Sequence, residues 1–61
     1  SDVVKIAVDG SQLNTMAVYS LQGRTILKKD FFGSTEVDLR GLNSGTYIFK
    51  VNGITRRVIL E

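Results

Sequence analysis

The dipeptide Asn52-Gly53 constrains this chain more than any other feature. Asn and Gly accept positive φ readily, and a two-residue loop of this kind forms a type I′ turn whose twist matches that of its flanking strands. Alternating runs lie on both sides, so the turn fixes a register. Val51 falls opposite Ile54, Phe49 opposite Arg56 and Tyr47 opposite Val58 on one face. Ile48 falls opposite Arg57 and Lys50 opposite Thr55 on the other. The first face is apolar enough to be a core, with the Arg56 stem over Phe49. A chain of 61 residues is one small domain of marginal stability, so its remaining strands must cover that face.

Those strands can be read from alternation and turn chemistry. Val3 to Val8 alternates, placing Val4, Ile6 and Val8 on one side before the turn residues Asp9-Gly10-Ser11. Asn14 to Leu21 has Met16 and Val18 on one face and Ala17, Tyr19 and Leu21 on the other, which predicts a strand covered on both sides. Gln22-Gly23 closes it as a hairpin into Arg24–Phe32, where adjacent Ile26 and Leu27 must point opposite ways. Thr35 to Leu39 sends Val37 and Leu39 inward, and Gly41 to Gly45 forms the longest loop with Leu42 as an apolar plug. No stretch carries helical spacing. The expectation is an all-β fold, a small antiparallel sandwich or barrel of about six to seven short strands. Its predicted core is Val4, Ile6, Val8, Met16, Val18, Ile26, Val37, Leu39, Tyr47, Phe49, Val51 and Val58.

Composition excludes several classes of function. There is no Cys and no His, which removes disulfides, thiolate metal sites and the commonest general base. Ser11, Ser20, Ser34 and Ser44 have no activating base, so the expectation is a protein that is not an enzyme and needs no cofactor or metal. Glu36 and Asp38 share a strand face and could serve acid–base chemistry or calcium. They read more simply as the solvated side of an edge strand, because Val37 and Leu39 claim the other face. Eight Lys and Arg against six Asp and Glu give a dispersed charge of +2, too weak a footprint for nucleic acid. No apolar run approaches the ~20 residues of a membrane span. Ser1 to Lys5 lacks signal-peptide character, so the chain reads as a piece of a larger protein that something else exports. Lys28-Lys29 fits either a partner patch or the charge that protects an edge strand. Tyr19, Phe31, Phe32, Tyr47 and Phe49 could stack on sugar, but most read as core, with one of Phe31 and Phe32 exposed.

Three stretches together resemble one family. Ala17-Val18-Tyr19-Ser20-Leu21-Gln22-Gly23-Arg24 is similar to the valine-x-tyrosine-x-x-x-glycine-arginine block of type IX secretion C-terminal sorting domains. Val37 to Val51 resembles their second block, L-x-x-L-x-x-G-x-Y followed by an alternating strand. Arg56-Arg57-Val58-Ile59-Leu60 is similar to their basic-then-apolar final strand. The order and spacing agree from about Val4 to the end of the chain. The resemblance implies an immunoglobulin-like β-sandwich over residues 1–61, a C-terminal sorting signal of a protein carried through the periplasm and across the outer membrane. It implies translocon or shuttle proteins as partners, a sortase-like protease that removes the domain, and a secreted or cell-surface location. Two departures stand out. The proline-asparagine-proline segment that usually opens the family is missing, which suggests an N-terminal trim, and the last residue is Glu61 where a basic residue is commoner.

The same resemblance points to Lys50, Arg56, Arg57, Val58, Ile59 and Leu60 as the residues a partner recognises. Gly23, Arg24, Gly45, Tyr47, Asn52 and Gly53 read as the structural motif. Gly23 and Gly45 sit where a side chain would strain a tight turn or clash with a neighbouring strand, and the Tyr47 hydroxyl is placed to tie down a loop. Short strands without proline leave edges open, so a homodimer through strand edges or swapping is a further expectation. The competing readings are a carbohydrate-binding or adhesive sandwich appended to an extracellular enzyme, and a structural spacer. The first would need a flat aromatic face, and the chain has no Trp.

Overall fold

Period-two alternation yields stable strands only when the inward set of side chains finds a second layer to pack on. The computed structural model, which describes residues 3–61, contains six such strands. They are β1 (Val3–Ala7), β2 (Leu13–Ser20), β3 (Thr25–Phe32), β4 (Ser34–Asp38), β5 (Gly45–Val51) and β6 (Ile54–Leu60). Strands β3-β2-β5-β6 form one antiparallel sheet and β1-β4 the other. The expected all-β sandwich is the fold, and no helix occurs among the described residues.

The inner face of the larger sheet is set by register. Met16 lies opposite Val51, Val18 opposite Phe49 and Ser20 opposite Tyr47. On the other flank of β2, Asn14 faces Phe31 and Val18 faces Leu27. The small sheet covers these with Val4, Ile6 and Val37, joined by Leu39 and the loop residue Leu42. Val18 is completely buried. Every predicted core residue belongs to this cluster or packs against it except Ile26.

Ile26 is displaced by a bulge. Val18 pairs with Leu27 and Tyr19 with Thr25, so Ile26 is the extra residue on β3 and stands exposed. A bulge leaves one residue unpaired and re-aims the side chains beyond it; here Leu27 takes the inward position. The expectation that β2 is covered on both sides also fails. No third layer exists among the described residues, and Leu21 is exposed. Ala17 is nevertheless buried on the outer face, where Lys28 and Lys50 flank it across the sheet. Their long stems account for shielding so short a side chain. Alternation also fails to name Phe31, Leu60 and Asn14, all buried. Of the adjacent phenylalanines, Phe31 is inside and Phe32 exposed.

The last hairpin has the predicted register throughout, from Val51 opposite Ile54 to Tyr47 opposite Val58. Asn52 and Gly53 have φ of 51° and 85°, the two positive values a type I′ turn demands. At Gly23 and Gly45, φ is 87° and 152°, and a Cβ at either would meet nothing within 4 Å. Of the two alternatives, strain and a clash, strain is therefore the one that applies at both glycines.

Candidate recognition surface on the final hairpin

The hairpin that carries the predicted recognition residues is anchored at its turn and at its start. The Asn52 N–H donates to the Thr15 carbonyl at 3.0 Å, and the Thr15 N–H donates to Asn52 Oδ1 at 3.1 Å. Asn52 Nδ2 donates to Asn14 Oδ1 at 2.9 Å. One side chain thus ties the turn to β2 through an exposed backbone group and a buried amide. At the other end, the Tyr47 hydroxyl donates to the Asn43 carbonyl at 2.7 Å, fixing the loop that carries Leu42. Tyr47→Phe should therefore lower stability by about 1 kcal/mol, the usual net contribution of such a bond. Chemical denaturation checks this, and an unchanged midpoint would show that the hydroxyl contributes nothing.

Backbone direction follows from the same bonds. Because Asn52 bonds to β2, alternation turns Lys50 and Ile48 toward β2 as well, and Val51, Phe49 and Tyr47 toward β6. Their partners Ile54, Arg56 and Val58 are thereby satisfied. The backbone groups of Thr55, Arg57 and Ile59 face outward along β6, an edge of the sheet.

The side chains divide between two faces. Arg57 lies opposite Ile48, and Lys50 opposite Thr55, so both basic residues stand on the outer face, with exposed Ile59. Arg56 lies opposite Phe49 and belongs to the inner face, where it stays exposed while Val58 is half-buried and Leu60 buried. The six predicted residues therefore do not form one patch. Lys28 joins the outer set, since Lys28 and Lys50 are the two cross-strand neighbours of Ala17. Lys29 points the other way and donates from Nζ to the Glu36 carbonyl at 3.0 Å, bridging β3 to β4. Reading Lys28-Lys29 as a unit hid this division, which period-two alternation alone would have exposed.

The first motif block closes the β2–β3 turn. Gly23 N–H donates to the Ser20 carbonyl at 3.0 Å, and Ser20 N–H donates to the Arg24 carbonyl at 2.9 Å. The Arg24 N–H donates to Ser20 Oγ at 3.2 Å. Arg24 thus acts here through its backbone.

The paired carboxylates of β4 have separate fates. Asp38 accepts from Arg40 Nε at 3.0 Å, Arg40 Nη2 at 2.8 Å and the Arg40 backbone N–H at 2.9 Å, while Glu36 is exposed. The Arg40 side-chain bonds, then its backbone bond, lower the Asp38 pKa to about 2. A folded value below the unfolded one, about 3.9, means a contribution complete above the unfolded pKa and lost as pH falls through about 2. Both groups are exposed, so the effect on stability is small. A carbon-13 titration should place the Asp38 carboxyl near 2, and a midpoint near 4 would show that the pair does not persist in solution. No cluster suited to a metal ion occurs among the described residues.

The aromatic residues form no flat platform. Phe31, Tyr47 and Phe49 are buried, and Tyr19 is half-buried. Exposed Phe32 pairs with Leu13 at the opposite end of the β2–β3 ladder from Tyr19. No helix among the described residues is long and apolar enough to cross a membrane.

A family model described as the secretion system C-terminal sorting domain matches residues 1–60. No curated protein and no solved structure matches the chain. The matched family is one of sorting signals and not a catalytic family. With the motif order, the sandwich and the ordered final hairpin all in agreement, the chain belongs to the type IX secretion C-terminal sorting domains, which mark proteins for export across the outer membrane to the cell surface or beyond.

Proposed function

We propose that the type IX machinery reads this domain at its final hairpin, β5–β6, and uses it to carry an attached cargo across the outer membrane. The family match over residues 1–60 carries the reading. The geometry supports the hairpin as the readout, because β6 is an edge strand that offers the outward backbone groups of Thr55, Arg57 and Ile59. Edge pairing draws affinity from main-chain bonds and tolerates varied side chains. Basic residues at the rim then add steering and register. Translocon or shuttle proteins are the partners, and a sortase-like protease removes the domain after export.

The test is a reporter fused to this domain in a bacterium that runs type IX secretion. Replacing Arg56 and Arg57 by Gln should lower surface delivery several-fold while circular dichroism stays unchanged, since both side chains are exposed. The single variants separate the outer face, through Arg57, from the inner face, through Arg56. Normal delivery by the double variant would remove these arginines from the readout. Truncation of Val58 to Glu61 is a poorer test, because it also deletes buried Leu60.

A further inference from the structure

The smaller sheet is two strands wide and the larger one four. Because β4 packs next to β3, β1 lies over the β5–β6 half, and its outer edge stops short of covering β6. A groove of about 440 Å³ remains between them. Its floor is formed by Val51, Ile54 and Val58 and its wall by Val4 and Ile6. Ile54 is 58 % exposed although it stands on the inner face, the mark of a core position with no cover.

The wall of this groove carries an open hydrogen-bonding edge. Val8 N–H donates to the Gly33 carbonyl at 2.8 Å, continuing the β1–β4 ladder. Alternation then directs the backbone of Ile6 and Val4 toward β4 and that of Lys5 and Ala7 away from it. β1 pairs with no strand but β4 among the described residues. A strand laid along this edge would gain main-chain bonds at Lys5 and Ala7 and cover the floor at once.

Charge decides which strand fits. Among the residues lining the groove, Lys5 and Arg56 alone are charged, and both are positive. Arg56 sits on the inner face between Ile54 and Val58, while Lys5 stands on the solvent side of β1. Two copies of this chain meeting groove to groove would bring the same cations against their like. We infer that the groove between β1 and β6 binds an extended acidic segment of another protein, with apolar side chains over Ile54 and Val58 and a carboxylate facing Arg56. A second carboxylate beside Lys5 completes the match. This inference is independent of the export reading, because it concerns only what the groove holds.

The probe is a blocked heptapeptide, Thr-Val-Glu-Glu-Thr-Val-Thr, whose inward positions read Val, Glu, Val. Its counterpart carries Lys in place of both Glu. Nitrogen-15 NMR titration of the chain should shift Val4, Ile6, Ile54 and Val58, and the acidic peptide should protect the Lys5 and Ala7 amides from exchange. Arg56→Glu and Lys5→Glu, both at exposed side chains, should each weaken the acidic peptide by about tenfold. The double variant should prefer the Lys peptide. Ala7→Pro removes an outward N–H while sparing the β1–β4 bonds, and should abolish binding with the fold retained. Equal binding of both peptides, shifts confined to another edge, or no shifts at all would overturn the inference. So would protection of Lys5 and Ala7 that grows with protein concentration alone, which would assign the groove to a second copy.

Discussion

Asn52→Ala is expected to destabilise the domain by about 2–4 kcal/mol, more than its position on a surface turn suggests. Alanine at φ 51° costs roughly 1–2 kcal/mol of backbone strain that Asn tolerates better. The substitution also removes both side-chain bonds from Asn52 to β2. Asn14 is 1 % exposed, and its Nδ2 already has no acceptor, so losing Asn52 would leave its Oδ1 bare as well. A buried polar group left without a partner costs about 1–3 kcal/mol. Asn52→Gly separates the contributions, since glycine keeps the turn and loses only the side chain. Chemical denaturation should rank the midpoints as parent, then Gly, then Ala. An Ala variant with the parent's midpoint would contradict the turn and its tie to β2.

Phe49→Ala should leave the chain largely unfolded at room temperature. Phe49 is buried to 4 % exposure between Val18 on β2 and Arg56 on β6, at the middle of the inner face. Truncating a buried phenylalanine to alanine typically costs about 3–5 kcal/mol in lost burial and residual cavity. A domain of this size, without disulfides, has little more than that in total. Phe49→Leu should remain folded with a lowered midpoint. Dispersed amide resonances and a cooperative transition in the Ala variant would show that the core is held elsewhere.

Most of the fold was legible because it rests on period two and on turn residues with few alternatives. Asn52-Gly53 set the register of β5 and β6 residue by residue, and Val37 and Leu39 fell inward as their alternation required. What the pattern could not show is decided by non-local geometry. The bulge that expels Ile26 depends on how β2 and β3 are staggered, and Ile26-Leu27 offers two apolar neighbours with nothing local to choose between them. Ala17 is buried by the lysines on either side of it, an arrangement that exists only once three strands are aligned. Asn14 is an interior anchor that alternation did not name, because its partner Asn52 lies 38 residues away.

The candidate surface was legible in part. The motif blocks located the hairpin and alternation already parted Arg56 from Arg57, but the six residues named for recognition were grouped across both faces. A strand sends adjacent side chains to opposite faces, so Arg57 joins Lys50 on the outer face while Arg56 borders the groove under β1. Two surfaces of distinct character therefore share one strand. One is a cationic outer face, and the other is an apolar inner groove with a cation at its centre.

Transplanting the domain asks whether it is an export signal in its own right. A folded reporter with an ordinary periplasmic leader would carry the domain at its C-terminus, in a bacterium with type IX secretion and in the same strain lacking the translocon. Reporter should appear at the cell surface or in the medium of the first strain and stay in the periplasm of the second. Reporter held in the periplasm of both strains, or found outside both, would contradict that role.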